Sequence, residues 1–208
     1  MKYFHYNDLM KILPDVIPIF PLSGVIYFPK TNLPLNIFED RYLRMVEDAL
    51  KNDGYIGMIQ SKKLDGEVFR VGCLGKIDKH ERTGDGRILI NLKGLTRFSV
   101  NEEIKNNKKY REFNVDYDEF KGDMMFGENE IKKDLLQKLR EDSIKFFDQQ
   151  GMLINWQEFS RLKNFQQIFT LAMISPFTVA EKQKILECPN LNHCGSQNFC
   201  IESYLEER

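Results

Sequence analysis

Short apolar runs separated by prolines and glycines fill the first part of the chain and predict strands. The first two runs are residues 17–22 and 33–38, and each is framed by Pro or Gly. This region holds too many Ile, Phe, Val and Leu for a disordered segment. It also holds too many prolines for a helix, at Pro18, Pro21, Pro29 and Pro34. We therefore expect short extended pieces here.

After residue 39 the apolar positions change to helical spacing. Asp40 is a suitable N-cap, and the stripe that follows consists of Tyr42, Leu43, Val46, Ala49 and Leu50. The segment 52–54 (NDG) ends this helix with residues that tolerate left-handed backbone geometry. Residues 55–60 (YIGMIQ) then predict a buried strand.

Alternating patterns return further along the chain. Residues 71–79 and 87–92 predict a hairpin across the turn 83–86 (TGDG), whose Asp-Gly dipeptide favours a tight primed turn. Residues 113–117 alternate apolar with polar side chains, which is typical of a half-buried antiparallel strand. Several short strands with one early helix predict a small, twisted, barrel-like sheet, because closure hides unpaired strand edges.

Helical spacing dominates the second part of the chain. The second and third predicted helices begin with capping pairs, Asn155 with Glu158 and Thr178 with Glu181. The predicted helices cover residues 128–150, 155–175, 178–187 and 191–206. The change from strands to helices predicts two domains, a β-rich domain at 14–120 and a helical domain at 121–208.

The best candidate for a linker is the segment 118–129, which contains Met124, Met125 and Phe126. These side chains could form an adaptable surface for exposed hydrophobic segments, since Met repacks readily. We favour the simpler interpretation that they seal the joint between the two domains, because a linker that crosses between two cores must bury something.

Composition narrows the function classes. The 208 residues are 42% hydrophobic, and 30 basic residues balance 31 acidic ones. Because duplex nucleic acid demands clustered Lys and Arg, nucleic acid is a weak candidate partner. The first residues are too polar for a secretory signal, and the most apolar window, 168–177, is too short to span a bilayer. We expect a soluble, cytoplasmic protein that does not insert in membranes. We also expect its four cysteines to be reduced.

Five short motifs occur in one order along the chain and carry a family resemblance. They are PIFPLSGVIYFP with LPLNIFEDRY (18–29 and 33–42), VGCLGKI (71–77), DGR (85–87), GLTRF (94–98) and LAMISPFTVAEKQKILECP (171–189). In sequence and spacing they resemble the N-terminal, substrate-binding domain of Lon proteases, including its DGR hairpin and its GxxRF turn. The resemblance covers roughly residues 14–205. It weakens in the polar, Cys-rich tail at 191–200.

The resemblance implies an α+β fold, with a β-rich, PUA-like pseudo-barrel and one early helix, followed by a C-terminal helical bundle. In Lon proteases this region engages protein substrates and helps to assemble the ring. Nothing after the opening motif resembles the ATPase or peptidase parts of a Lon protease. The sequence therefore suggests a freestanding, non-catalytic recognition domain. We expect it to bind protein or peptide segments in a groove between sheet and helices. The binding residues and the oligomeric state stay open.

The sequence contains no motif suited to proteolysis or to phosphate binding. A Lon-type peptidase needs a serine activated by a nearby lysine, but Ser61 and Lys62 are adjacent in a polar loop and would point apart. Residues 72–76 (GCLGK) are too short for a phosphate loop, and a strand with close backbone contacts explains them better. We therefore predict no enzymatic activity, no catalytic residues and no cofactor.

The sharpest alternative is a metal site in the tail, which would make the chain a metal-binding protein or a small enzyme. Four soft ligands, Cys188, His193, Cys194 and Cys200, lie within thirteen residues. Their spacing lacks the C-x2-C pair that grips zinc, so we favour inert thiols and predict no metal. RNA binding through the PUA-like sheet is a further alternative, disfavoured by the balanced charge.

Two groups of titratable side chains could suggest acid–base chemistry. Asp116 and Asp118 are expected to share one strand face, but the polar residues of that face are also typical of an ordinary solvated surface. His80 with Glu81 lies near a hairpin tip and lacks the second His of a zinc peptidase helix. We expect Arg41 and Arg97 to pair with local carboxylates or to cap backbone carbonyls.

Overall fold

The computed structural model describes residues 13–62, 66–125 and 133–188, with side chains for all of these except residues 125 and 133–136. The chain divides into two compact units, residues 1–125 and 126–208. The described part of the first unit contains the strands, and that of the second contains helices. This confirms the predicted α+β class. The domain boundaries 14–120 and 121–208 stay a prediction.

Six strands form one sheet in the described part of the first unit. Their order across the sheet is β2-β5-β4-β3-β1-β6, and β5 also pairs with β6. Because of this extra pairing, five of the strands close on themselves and β2 is added outside the closure. The strands are β1 (Val16–Leu22), β2 (Asn32–Ile37), β3 (Tyr55–Ser61), β4 (Val68–Arg82), β5 (Ile88–Ile104) and β6 (Arg111–Asp116).

The hydrophobic core of the first unit lies inside this closed sheet. Ile17 and Ile19 of β1 are fully buried and belong to the same cluster as Leu74 of β4 and Phe98 of β5. Strand β6 alternates buried and partly exposed residues, as its sequence pattern predicts. Burial of each large apolar side chain contributes about 1.5–3 kcal/mol to the stability of the unit.

Two glycines allow a closer approach than any side chain would permit. A Cβ on Gly72 would lie 2.5 Å from Cζ of Phe98 and 2.6 Å from the carbonyl oxygen of Met58. A Cβ on Gly94 would lie 2.2 Å from the carbonyl oxygen of Phe28. Residues 72–76 thus lie in strand β4 with close backbone contacts, as predicted, and do not form a loop.

The early helix, α1 (Asp40–Lys51), buries Tyr42, Met45, Val46 and Ala49. The ring of Tyr42 meets that of Phe20 edge-on, with 4.1 Å between the ring centroids. Asp40 was expected to be the N-cap but is the first helical residue. Glu39 takes the cap position, because its carbonyl oxygen accepts the first two helical hydrogen bonds, both of 2.9 Å.

The β4–β5 hairpin ends in a longer loop than the primed turn that was predicted. The N–H of Thr83 donates to the carbonyl of Arg87, and the N–H of Gly86 donates to the carbonyl of Thr83, each over 3.0 Å. Gly86 has a φ of 89°, but Asp85 is not among the residues with positive φ. A primed turn of type I′ needs positive φ at both central residues, so that prediction is wrong. Asp85 instead accepts a hydrogen bond from the Thr83 hydroxyl.

The segment 94–98 (GLTRF), expected to form a turn, lies inside the long strand β5. Leu74 pairs with Thr96 and Gly75 pairs with Gly94, so Leu95 is the extra residue of a β-bulge. A bulge bends its strand and increases the twist. The bend fits the pairing of β5, which pairs with β2 before the bulge and with β6 after it.

The first unit ends with a short helix, α2 (Gly122–Met125). Four helices form the described part of the second unit: α3 (Lys133–Gln149), α4 (Trp156–Phe159), α5 (Asn164–Ile174) and α6 (Val179–Glu187). Gly151, with a φ of 65°, follows α3 as predicted. Both predicted capping pairs are present, since the side chains of Asn155 and Thr178 accept from the N–H of Glu158 and Glu181. The last predicted helix, 191–206, lies outside the described residues.

The single helix expected over 155–175 is two helices, α4 and α5. Side chains compete with the helical ladder between them, because the Ser160 hydroxyl donates to the carbonyl of Gln157 and the Gln167 amide donates to the carbonyl of Leu162. Lys163 has an extended backbone and restarts the helix, with its N–H donated to the Gln166 side chain over 3.1 Å. As predicted, Ser175 ends α5.

Candidate functional site

Part of the sheet extends beyond the closed core and forms what we call the arm. The β3–β4 pairing ends at Tyr55 and Lys76, whereas β4 continues to Arg82. Over this extension β4 pairs with the first part of β5, and the same part of β5 pairs with β2. The arm therefore consists of residues 77–82 of β4, 88–93 of β5, and β2.

One face of the arm is apolar and buried. Ile88, Ile90 and Leu92 of β5 are buried and alternate with more exposed residues, and Ile37 of β2 pairs with Ile88 on the same face. Arg82, also opposite Ile88, forms an ion pair with Glu47 of α1 over 2.5 Å. This face is thus the inner face, and the arm is tied to the early helix.

The outer face of the arm exposes apolar side chains. Leu89 is 41% exposed and lies opposite the exposed Asn36. Phe38, which directly follows β2, is 64% exposed, and Pro34 is exposed on the same strand. We call Pro34, Phe38 and Leu89 the outer apolar patch. A large aromatic side chain left this exposed is a candidate contact for a partner.

Polar residues flank the outer apolar patch. An open depression of about 630 Å³ is lined by residues 78–81 of β4 and 89–91 of β5. Across it, the Asn91 amide donates to the Asp78 carboxylate over 2.6 Å. The depression thus combines an apolar wall at Leu89 with main-chain and charged groups, which suits an amphipathic ligand better than a purely ionic one.

A buried ion pair, which the sequence did not reveal, fixes the end of the first unit. The Arg97 and Asp123 side chains are each 1% exposed, with 2.7 Å between Nη2 and Oδ1 and 2.9 Å between Nε and Oδ2. The main-chain N–H of Arg97 also donates to Asp123, over 2.9 Å. Arg97 was expected to have a local partner, but Asp123 lies 26 residues away. The pair attaches the short helix α2 (Gly122–Met125) to β5.

The predicted pair of carboxylates does not form. Asp116 ends β6, but Asp118 belongs to the 3-10 helix Asp118–Phe120 and not to the strand, so the two do not share a strand face. The reason is that the Asp116 carboxylate accepts the N–H of Asp118 over 2.6 Å, which turns the chain. Asp116 thus has a structural role at this turn.

The other residues considered for catalysis occupy ordinary positions. Lys62 pairs with Glu67 over 2.6 Å, and Ser61 ends β3. His80 and Glu81 are exposed in β4, in the wall of the depression. Arg41 pairs with Glu39, as predicted. That the chain has no catalytic residues stays a prediction.

Of the four soft ligands in the tail, only Cys188 lies within the described residues, where it is partly exposed; His193, Cys194 and Cys200 lie outside them. Within residues 13–62, 66–125 and 133–188, no group of three or more His, Cys, Asp or Glu side chains is arranged to hold a metal ion. Cys73 is fully buried in β4, and this burial raises the pKa of its thiol well above the usual value.

The connection between β5 and β6 is rich in lysine, and two of the cations in and beside it have acidic partners. Lys108 pairs with Glu112 and Arg111 with Glu103, each over 2.7 Å. The hydrogen bond from Arg111 lowers the pKa of the Glu103 carboxyl. Because Lys108 and Arg111 are already paired, these two cations give little support to RNA binding, which stays an untested alternative.

Met124 is the one member of the predicted apolar linker segment whose side chain is described. It is partly buried and packs against the core cluster of the first unit. It therefore seals that core. The side chains of Met125 and Phe126 lie outside the described residues.

As for membranes, none of the helices in the described ranges combines the length and the apolar character that a bilayer crossing requires.

The fold and the arm define a class: an α+β protein with a closed sheet, an added strand and a separate helical unit. The chain belongs to the family of the ATP-dependent protease La (LON) substrate-binding domain, whose model matches residues 16–193. The match is to the substrate-binding domain and not to the ATPase or protease domains. The resemblance read from the five motifs is thereby confirmed.

Curated relatives are Lon proteases. Over 184 residues the chain is 28% identical to the Lon protease of Dictyoglomus thermophilum, covering 84% of this chain and 22% of that protein. Over 200 residues it is 27% identical to the Lon protease of Syntrophus aciditrophicus, covering 87% of this chain and 24% of that protein. The chain thus spans less than a quarter of the length of these two relatives.

Solved structures share the fold. The Lon N-terminal domain protein from Xanthomonas campestris matches with a TM-score of 0.61 at 19% identity, covering 89% of this chain and 99% of that one. The N-terminal domain of the Mycobacterium avium complex Lon protease matches with a TM-score of 0.60 at 16% identity, covering 86% and 92%. At these identities the likeness establishes the fold alone.

Proposed function

We propose that this chain binds segments of other polypeptides and has no catalytic activity of its own. The observation that carries the proposal is the outer apolar patch, where Phe38 and Leu89 are exposed on the outer face of the arm. Membership in a substrate-binding domain family supports the same function. The groove between sheet and helices that the sequence suggested stays a prediction, and the arm offers a site within one unit.

The chemistry of the patch favours unfolded or extended polypeptide over a folded partner. A few exposed apolar side chains bounded by charged residues can accept one or two apolar side chains of a flexible segment. They present too little apolar area for a stable interface between folded proteins, which buries about 1,200–2,000 Å². We therefore expect weak, reversible binding.

Fluorescence anisotropy with unfolded protein tests the proposal. Fluorescein-labelled α-lactalbumin, reduced and carboxymethylated so that it stays unfolded, is titrated with the full chain. We expect saturable binding with a roughly micromolar Kd, and much weaker binding of native α-lactalbumin. Equal, unsaturable signals from the two forms would contradict the proposal.

A pair of variants assigns the binding to the patch. Phe38→Ser should weaken binding by roughly threefold to tenfold, because about 1 kcal/mol of apolar contact is lost. Leu153→Ser is the matched control, since Leu153 is a fully exposed apolar residue of the second unit and should leave binding unchanged. The same preparations should hydrolyse neither ATP nor casein. Cleavage of casein by the purified chain would refute the non-catalytic part.

A further inference from the structure

The outer edge of β2 is available to another strand. Among the described residues, β2 pairs with β5 on one side and with no strand on the other. Asn32, Pro34 and Asn36 are exposed along it. A strand edge of this kind presents main-chain donors and acceptors that can pair with an added strand.

The hydrogen-bond register shows which groups of β2 point outward. The N–H of Gly94 donates to the carbonyl of Thr31 over 2.9 Å, one step beyond the pair formed by Asn32 and Lys93. In an antiparallel ladder this makes Asn32–Lys93 a pair without direct hydrogen bonds. Because such pairs alternate, the main-chain groups of Asn32, Pro34 and Asn36 point away from β5. Leu33, Leu35 and Ile37 bond to β5.

The two open edges of the arm differ in charge. The β4 edge carries Asp78, Lys79, His80, Glu81 and Arg82, and charged side chains are the usual protection of an edge against unwanted pairing. Strand β2 (NLPLNI) carries no charged residue. Its one protective feature is Pro34, which lacks an N–H. Only the β2 edge is therefore suited to accept a strand, and it lies beside Phe38.

Pro34 also indicates which strand the edge accepts. A second copy of β2, paired antiparallel about Pro34, would place two prolines opposite each other, and the central pair would lose both main-chain hydrogen bonds. A proline-free segment of another polypeptide loses only one of them. The other outward groups, at Asn32 and Asn36, stay available in both cases. The geometry thus favours a different polypeptide over self-association.

We infer that an extended, proline-free segment of another polypeptide adds to the outer edge of β2 as a further antiparallel strand, with an apolar side chain against Phe38, which directly follows β2. This inference rests on the proposed function and specifies its mode of binding. Recognition is by main-chain hydrogen bonds, so it tolerates many sequences, and uncharged segments with alternating apolar residues bind best.

Peptides with methylated main-chain nitrogens test the inference. The probes are a fluorescein-labelled octapeptide of alternating threonine and valine, and two forms of it, N-methylated either at every threonine or at every valine. An added strand uses the N–H groups of one edge only. We expect one methylated form to bind the full chain at least about tenfold more weakly than the unmodified peptide, and the other to bind nearly as well.

Variants of Asn36 test the edge itself. Asn36→Pro removes an outward N–H without removing a bond to β5, and should weaken binding about fivefold or more. Asn36→Ala keeps the N–H, so it should weaken binding much less than Asn36→Pro does. Asn36→Lys adds a protective charge and should also weaken binding, whereas Asn101→Lys places the same charge at an exposed position elsewhere in the sheet and should not. An unchanged thermal unfolding midpoint verifies the fold of each variant.

The outcomes separate this inference from the proposed function. If unfolded α-lactalbumin and the unmodified peptide both fail to bind, both the strand addition and the proposed function are refuted. If they bind, but neither methylation nor the Asn36 variants change the affinity, only the strand addition is refuted. A concentration-dependent dimer in analytical ultracentrifugation that Asn36→Pro abolishes would show that the edge pairs with a second copy, and would overturn the choice of partner.

Discussion

The hydroxyl of Tyr27 is a buried polar group that finds no hydrogen-bond partner in the part of the chain that the structure describes. The residue is 2% exposed, and its ring lies against Gly75. Desolvation is the main reason why the pKa of Tyr27 is raised far above its usual value, with Cys73 and Asp78 as lesser causes. Burying a hydroxyl without a partner costs about 1–3 kcal/mol, so this residue is not optimal for stability.

We therefore predict that Tyr27→Phe is neutral or stabilises the protein by up to about 1 kcal/mol near pH 7, measured by urea unfolding. The pH dependence has a definite sign. Above pH 10 the unfolded tyrosine ionises while folded Tyr27 stays protonated, so the unfolded state binds fewer protons and stability falls as pH rises. Tyr27→Phe should reduce this alkaline loss. A variant that is clearly less stable at pH 7 would show that the hydroxyl has a partner.

At the scale of elements, the Arg97–Asp123 pair determines how the short helix α2 is held. Four residues form too short a helix to be stable by themselves, so tertiary contacts must hold α2 in place. Asp123 accepts three hydrogen bonds from Arg97, and the Arg97 guanidinium lies 4.4 Å above the ring of Phe120. Arg97, itself stacked on Phe120, thus attaches helix α2 to β5, in addition to the packing of Met124 on the core.

We predict that Asp123→Ala destabilises the first unit by about 3–5 kcal/mol, because it leaves the buried Arg97 charge without its carboxylate. The double variant Arg97→Met with Asp123→Leu should recover most of this loss, since it removes both charges. Urea unfolding of the two variants and the parent measures the difference. Equal destabilisation by the single and double changes would indicate that packing, and not the charge, is the dominant effect. Asp85→Ala, at an exposed carboxylate, is the control.

Local chemistry explains which elements were predictable. Caps such as Asn155 and Thr178 were correctly read, because a cap and its partner lie three residues apart in the sequence. The turn at 83–86 was misread, because an Asp-Gly pair fits more than one hairpin loop. The gap between α4 and α5 was missed, since the Gln167 amide that competes for a carbonyl reaches back across the break.

At the scale of the whole molecule, the first unit contains a complete core. The sheet closes within it, and the described packing partners of the cluster around Ile17, Ile19 and Phe98 lie between Leu13 and Met124. Since a domain that can fold alone needs its own hydrophobic core, the unit meets that condition. The boundary near residues 120–125 can be tested directly.

We predict that a fragment of residues 1–125 folds by itself and unfolds cooperatively in urea, with a stability of several kcal/mol. Its m-value should be lower than that of the full chain, roughly in proportion to the surface exposed on unfolding. Dispersed amide signals in an NMR spectrum would verify the fold. A fragment with the narrow spectrum of an unfolded chain would show that the helical unit is required, and the predicted division into two domains would then be wrong.

The candidate site itself was not predicted. The sequence marked residues 33–38 as an apolar strand, but it could not show that Phe38 is exposed or that Leu89 lies close to it. Strand β2 pairs with β5, and a side-chain hydrogen bond between them joins Asn91 to Asn32, 59 residues away in the chain. No local pattern specifies such a pairing.

By itself the sequence determined the type and order of most elements, the α+β class and the family, because proline, glycine, caps and the period of apolar residues act over a few neighbouring positions. Only the tertiary structure decided that β2 lies outside the closed sheet, that Arg97 meets Asp123, and that, among the described residues, no strand pairs with the uncharged edge beside Phe38. Each of these depends on residues far apart in the chain, whose contacts are set by closure and packing of the whole sheet.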